Sequence, residues 1–169
     1  ELRQARAGTS FRRMALELLA SCPPFDLPGT DDRNHTLAEL TGKLFVLMVS
    51  CNHCPYVIAY EPRMVALANE YGARGVDFMA VNANDATRYP ADSLHRMAQF
   101  AREQSWPMPY LHDESQAVAR ALGAQVTPHI FVLDADHTLV WTGAPDGDPS
   151  DESHEENAGW LREALESVT

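Results

Sequence analysis

The chain has 169 residues, 13 basic and 24 acidic, so its formal net charge is −11. That length fits one domain that buries a core without disulfides or metals, and an apolar content of 45% excludes wholesale disorder. The charge excludes a general nucleic-acid binder, which needs clustered Lys and Arg against phosphate, and no run reaches the ~20 apolar residues of a membrane span.

Three cysteines are too few and odd in number for a disulfide scaffold. Cys51 and Cys54 lie close together and Cys22 stands apart, which is the usage of a redox or metal protein rather than a stapled secreted domain. Arg12-Arg13 and the apolar run to Cys22 have the outline of a lipoprotein signal. The run is short and broken by Glu17, so residues 1–22 read as an N-terminal extension with a short amphipathic helix and a half-buried Cys22. The domain proper is expected over residues 23–169. A cytoplasmic location is expected; because the numbering starts at Glu1, an exported or lipid-anchored form stays open.

Leu44 to Val49 is a continuous apolar run, the pattern of a strand buried on both faces. Val57, Tyr60, Met64, Leu67 and Tyr71 then recur at helical spacing, in a helix that Pro62 should kink and Gly72 and Gly75 should end. Val76 to Val81 is the next strand, closing a βαβ unit. Another helix is expected over Ala91–Glu103 and a short extended piece up to Leu111. Asp113 is the expected N-cap of a helix ending at Leu122, with Gly123 following it. Ile130–Leu133 and Thr138–Trp141 read as strands joined by a hairpin turn. Residues 144–156 read as a solvated acidic loop, and a helix from about Asn157 to Glu166 closes the chain. The expected fold is α/β, a central mixed sheet with helices on both faces.

Cys51-Asn52-His53-Cys54 sits between the buried strand and the first long helix. A thiol at a helix start feels the partial positive charge there, which favours thiolate. Cys51 is the expected exposed attacking thiolate with a depressed pKa, and Cys54 the shielded resolving thiol. A metal site is the competing reading. Structural zinc takes four ligands and no second cysteine pair exists, so no metal and no other cofactor is expected. His53, beside Cys54, would stabilise the reduced thiolate and make the disulfide a stronger oxidant. Asn52, Pro55, Asn84 and His129 are candidates for the surrounding pocket. Asn82, Asn84 and Asp85 follow a strand on the side where open α/β sheets place ligands, although Asn and Asp also cap loops.

A strand, this cysteine motif and a helix, followed by Thr127-Pro128 ahead of a hairpin, resemble the thioredoxin superfamily. Cys51-Asn52-His53-Cys54-Pro55-Tyr56, Val81-Asn82-Ala83-Asn84-Asp85, Pro109-Tyr110-Leu111-His112-Asp113 and Val126-Thr127-Pro128-His129 are more closely similar to the alkyl hydroperoxide reductase/thiol-specific antioxidant (AhpC/TSA) redoxins. The likeness spans about residues 23–146. It implies a thioredoxin-like fold with Pro128 as the cis-proline beside the dithiol and Thr127 next to it. Peroxiredoxins of the wider family place Pro and Thr/Ser ahead of the cysteine, where this chain has Leu44 and Met48; thioredoxin's preceding Trp is Ser50 here, and no acid lies in 44–49.

The expected activity is thiol–disulfide exchange by Cys51 and Cys54 with a disulfide-containing protein or a low-molecular-weight thiol, recycled by a reducing or oxidising thiol partner. A peroxide-reducing enzyme using the same cysteines is the alternative, and a metal-binding module a further one.

Overall fold

The structure is a computed structural model that describes residues 17–154 and 157–168. Two short strands, β1 (Asp26–Pro28) and β2 (Asn34–Thr36), pair antiparallel at the edge of the fold. The central sheet holds β3 (Leu44–Ser50), β4 (Val76–Asn82), β5 (Tyr110–His112), β6 (His129–Asp134) and β7 (Leu139–Gly143) in the order β5-β4-β3-β6-β7. β3, β4 and β5 run parallel, while β6 is antiparallel to both β3 and β7. The sheet is therefore mixed, as the order of elements predicts.

The helices are α1 (Pro55–Gly72), α2 (Leu94–Glu103), α3 (Ala117–Leu122) and α4 (Gly159–Val168). All seven residues of β3 are buried, which follows from a centre strand with layers on both faces. Its side chains alternate between two cores. Leu44, Val46 and Met48 pack with Tyr60, Met64 and Leu67 of α1, Met97 of α2 and Leu161 and Leu165 of α4. Phe45, Leu47 and Val49 pack with Val118, Ala119 and Leu122 of α3 and with Cys22, Phe25, Leu37 and Leu40.

Several boundaries differ from the sequence reading. Residues 17–22 form a turn and a β-bridge from Ser21 to Thr138 rather than a helix; the rest of the expected N-terminal helix lies outside the described residues. Cys22 is buried rather than half-buried, and burial pushes its thiol up to about 11. The Ala91–Glu103 helix divides into a 3₁₀ turn, Pro90–Asp92, and α2, which Ser93 caps through Arg96 N–H. Asp113 does not cap α3 at its own position. The helix starts at Ala117, and the buried Asp113 carboxylate accepts from Ala119 N–H, inside it. Gly123 takes the left-handed conformation at its end, with φ of 75°.

The acidic loop after β7 is the largest correction. Asp146 is buried and accepts two bonds from Arg63 of α1, at 2.8 and 2.7 Å, with further bonds from Asp148 and Ala158 N–H. Tyr60 donates to the Asp146 carbonyl. Composition marks a solvated loop, yet one buried ion pair docks its start on α1.

Breaking that pair leaves an uncompensated buried charge, so Asp146→Ala should lose about 3–5 kcal/mol of stability, read as a fall in the urea midpoint. Burial also pushes the Glu61 carboxyl in α1 up to about 7. The native state then holds a proton that the unfolded chain releases at lower pH. The associated stability is present in acid and lost as pH rises through about 7. Glu61→Gln should therefore raise the melting temperature at pH 8 relative to the parent chain and change it little at pH 4.

Candidate active site

The cysteine motif leaves the sheet at the C-terminal end of β3 and meets the loop that enters β6. The Thr127–Pro128 peptide bond in that loop is cis. Thr127 faces both sulfurs: its hydroxyl lies 3.6 Å from Cys51 Sγ, and its carbonyl accepts from Cys54 Sγ at 3.4 Å. One residue of the β6 loop thus touches two thiols that β3 and α1 deliver.

The thiols differ in the opposite sense to the sequence expectation. Cys51 is 1% exposed, whereas Cys54 is half-exposed. The long helix begins at Pro55 with Cys54 as its N-cap, so Cys51 lies in the turn ahead of it, still close to the end of the fully buried β3. Burial raises the Cys51 thiol above its ordinary value. The hydroxyl of Thr127 and the Cys54 N–H lower it by less, and the nearby Cys54 and Asp92 add to the rise. The depressed Cys51 pKa expected from the motif is therefore overturned by desolvation.

His53 and Asn52 are held from the opposite side by a residue that the sequence reading passed over. Asp92, in the 3₁₀ turn ahead of α2, is fully buried. Its Oδ1 accepts from Asn52 N–H at 2.7 Å and from the Asn82 amide at 3.0 Å. Its Oδ2 takes the Asn84 amide at 3.0 Å and lies 2.5 Å from His53 Nδ1. Burial works to protonate this carboxyl, but the Asn52, Asn84 and Asn82 donors and the His53 charge together outweigh it and hold it below the ordinary value. The Asn52 amide donates to the Ala91 carbonyl, and its oxygen accepts from Tyr110 Oη at 2.8 Å. The His53 ring stacks on Tyr89, with centroids 5.1 Å apart.

Asn84 therefore belongs to the clamp on the motif, Asn82 joins it, and Asp85 caps its own loop through Thr87. Pro55 is the exposed first residue of α1. His129 is engaged elsewhere: its ring nitrogens meet Thr142 Oγ1 and Gln125 N–H, and its ring lies tilted against Phe131. An acid shortly ahead of a helix, some forty residues from the cysteines, carries no local signal of this role. Only the Asn-x-Asn step after β4 hints that a carboxylate is to be met there.

Cys51 Sγ, a His53 ring nitrogen and an Asp92 oxygen lie within 4.8 Å of one another. His53 and Asp92 are in direct hydrogen-bond contact, and N–H donors fill the remaining carboxylate positions. Three groups at this spacing could hold a cation, and here His53 and Asp92 meet each other directly.

Beyond the cysteines an apolar cleft of about 330 Å³ runs along Tyr56, Tyr60, Val126, Pro128 and Trp160. Tyr56, Val126 and Trp160 are exposed at its rim.

Residues 19–142 match the model of the AhpC/TSA family. Among solved structures the chain is similar to an uncharacterized conserved protein from Geobacillus kaustophilus, with 36% identity, a TM-score of 0.87 and coverage of 90% of this chain and 82% of that one. A hypothetical protein from Sinorhizobium meliloti 1021 has 30% identity and a TM-score of 0.87, over 91% and 85% of the two chains. A thiol:disulfide interchange protein of the thioredoxin family from Chlorobium tepidum TLS has 18% identity and a TM-score of 0.68, over 92% and 97%, a likeness of fold alone. No curated protein matches the chain. The fold is thioredoxin-like.

The difference in exposure has a direct readout. In the reduced native protein, iodoacetamide should modify Cys54 several-fold faster than Cys51, and unfolding in urea should bring the two rates together. Peptide mapping after short labelling reads both sites at once, and faster native labelling of Cys51 would contradict the burial described.

Proposed function

The chain belongs to the AhpC/TSA family, and from that premise we propose that it is a thiol–disulfide oxidoreductase working through Cys51 and Cys54. The observation that carries this reading is the contact of both sulfurs with Thr127 at the cis Thr127–Pro128 bond. The loop that would receive an extended substrate segment thereby sits against the dithiol.

The cycle balances with two electrons. One thiolate of the pair attacks a sulfur of the substrate disulfide; the substrate S–S bond breaks, and the departing sulfur leaves as a thiolate that takes up a proton. The second thiol loses its proton and attacks the mixed disulfide, so Cys51 and Cys54 become joined and the substrate is released fully reduced. An external dithiol then returns the pair to the reduced state. With an oxidising partner the same steps run in reverse. The cleft along Tyr56, Val126, Pro128 and Trp160 supports a protein partner, because an extended segment laid there would bury apolar side chains beside the reacting sulfur.

The residues ahead of Cys51 favour this reading over peroxide reduction. Leu44 and Met48 stand at the Pro and Thr/Ser positions of the peroxiredoxin pattern, and both are buried in β3. Neither offers a donor to orient a peroxide or its thiolate.

The test is a side-by-side assay of the reduced protein. Insulin reduction driven by a dithiol should be catalysed, and should fall to background in Cys51→Ser and in Cys54→Ser. Hydrogen peroxide consumption should stay below a kcat/KM of ~10⁴ M⁻¹s⁻¹, the lower end for enzymes. Efficient peroxide turnover without insulin reduction would replace this reading with a peroxidase.

A further inference from the structure

Asn82, Asn84 and Asp85 follow β4 on the side where open α/β sheets place ligands, and the dithiol cycle leaves that side unused. A hollow of about 600 Å³ lies there, larger than the apolar cleft on the Thr127 side. Asp85, Arg88 and Tyr89 line it from the loop after β4, and Glu114, Gln116 and Arg120 from the segment after β5 and from α3. β4 and β5 run parallel to β3, so the hollow and the cysteine turn share one end of the sheet.

Two guanidiniums thus reach one hollow from separate parts of the chain. Gln116 ties its walls together from a left-handed backbone, φ 62°, that side-chain-bearing residues seldom adopt. Its amide donates to the Ala83 carbonyl at 2.9 Å, and its oxygen accepts from Arg120 at 2.8 Å. Arg88 donates no side-chain hydrogen bond among the described residues; its guanidinium lies 5.6 Å from the centre of the Tyr89 ring. Asp85 and Glu114 supply the acids. Bonds from the Thr87 hydroxyl and N–H hold the Asp85 carboxyl below its ordinary value, so it is charged at neutral pH.

That balance of charge selects the ligand. A purely anionic molecule would meet Asp85, Glu114 and a chain of net charge −11, and a purely cationic one would meet both arginines. An amino-acid end group carries a carboxylate for the guanidiniums and an ammonium for the acids. The hollow also adjoins the motif. Its Tyr89 wall stacks on His53, with centroids 5.1 Å apart, and Cys54, half-exposed, follows His53 directly. Asn84, at the same edge, donates to Asp92, which in turn accepts from Asn52 N–H. A tripeptide extends about 10 Å, long enough to leave its end in the hollow and carry its sulfur past the Tyr89–His53 pair.

We infer that this hollow binds the amino-acid end of a low-molecular-weight disulfide, the small-molecule substrate of the dithiol. For the chemistry at sulfur the inference rests on the dithiol reading: the small S–S bond breaks, two small thiols leave, and Cys51 and Cys54 become joined, with two electrons passed. The hollow itself is a binding site and does not depend on turnover.

The test therefore uses a chain carrying both Cys51→Ser and Cys54→Ser, which binds without reacting and gives the same answer whether or not the protein exchanges disulfides. Glutathione disulfide, the probe, should bind saturably and shift the backbone amide NMR signals of residues 84–89 and 114–120. Arg88→Ala and Arg120→Ala should each weaken binding about tenfold, the scale of one hydrogen bond between charged groups. Cystamine, which lacks the carboxylate, and dithiodipropionate, which lacks the ammonium, should bind at least as much more weakly. Absence of saturable binding, binding unchanged in both arginine variants, or equal binding of all three disulfides would overturn the inference. If Arg120→Ala disturbs the Gln116 bridge, seen as a fall in melting temperature, Arg88→Ala decides, since its guanidinium holds no other group by a hydrogen bond.

Discussion

A carboxylate with no solvent access survives ionised only when its oxygens are fully bonded, and Asp92 meets that condition by drawing three segments together. Asn52 and His53 come from the turn after β3, Asn82 and Asn84 from the end of β4, and Asp92 itself from the 3₁₀ turn before α2. The parallel pairing of β3 with β4, with Ser50 opposite Asn82, brings those ends level. Tyr110 reaches across from β5 to both Asn52 and Asn82. The cysteine turn is thus gripped on one side by Asp92 and on the other by Thr127, and the positions of both sulfurs depend on those two grips.

A second buried carboxylate shows how the choice of partner changes the outcome. Asp146 takes two short bonds from the planar Arg63 guanidinium, so the pair acts as a fixed pin that fastens the acidic loop to α1. Asp92 is matched by neutral amides and an imidazole. One carboxylate is therefore built into the frame, and the other into the clamp on the cysteine turn. The pin also shapes the cleft, since Asp146 and Gly147 line the same hollow as Tyr56, Thr127 and Pro128.

Burial also sets the character of the two thiols. Helix geometry alone favours the first cysteine as the reactive one. In the folded chain Cys51 stays under the cover that shields β3, while Cys54 stands at the helix N-cap with partial access to solvent. Desolvation outweighs the hydrogen bonds to Cys51, so its thiol stands above its ordinary value.

Periodicity in the chain was enough to place β3, α1, β4 and the β6–β7 hairpin, because an apolar run of strand length and a 3.6-residue stripe are local patterns that burial on one sheet enforces. The cysteine motif and Thr127-Pro128 were likewise legible as residues, and with them the likeness to the AhpC/TSA family. The exposure of Cys51 against Cys54, the docking of the acidic loop and the place of Asp92 were not. Each rests on a contact between residues far apart in the chain: Thr127 on the cysteines, Arg63 on Asp146, and Asp92 on Asn52. Such contacts leave no mark on local composition, since an Asp in a turn looks the same whether it meets water or four donors. Only the stacking of strands and helices decides which of these it meets, and so which carboxylate is silent and which stands beside the chemistry.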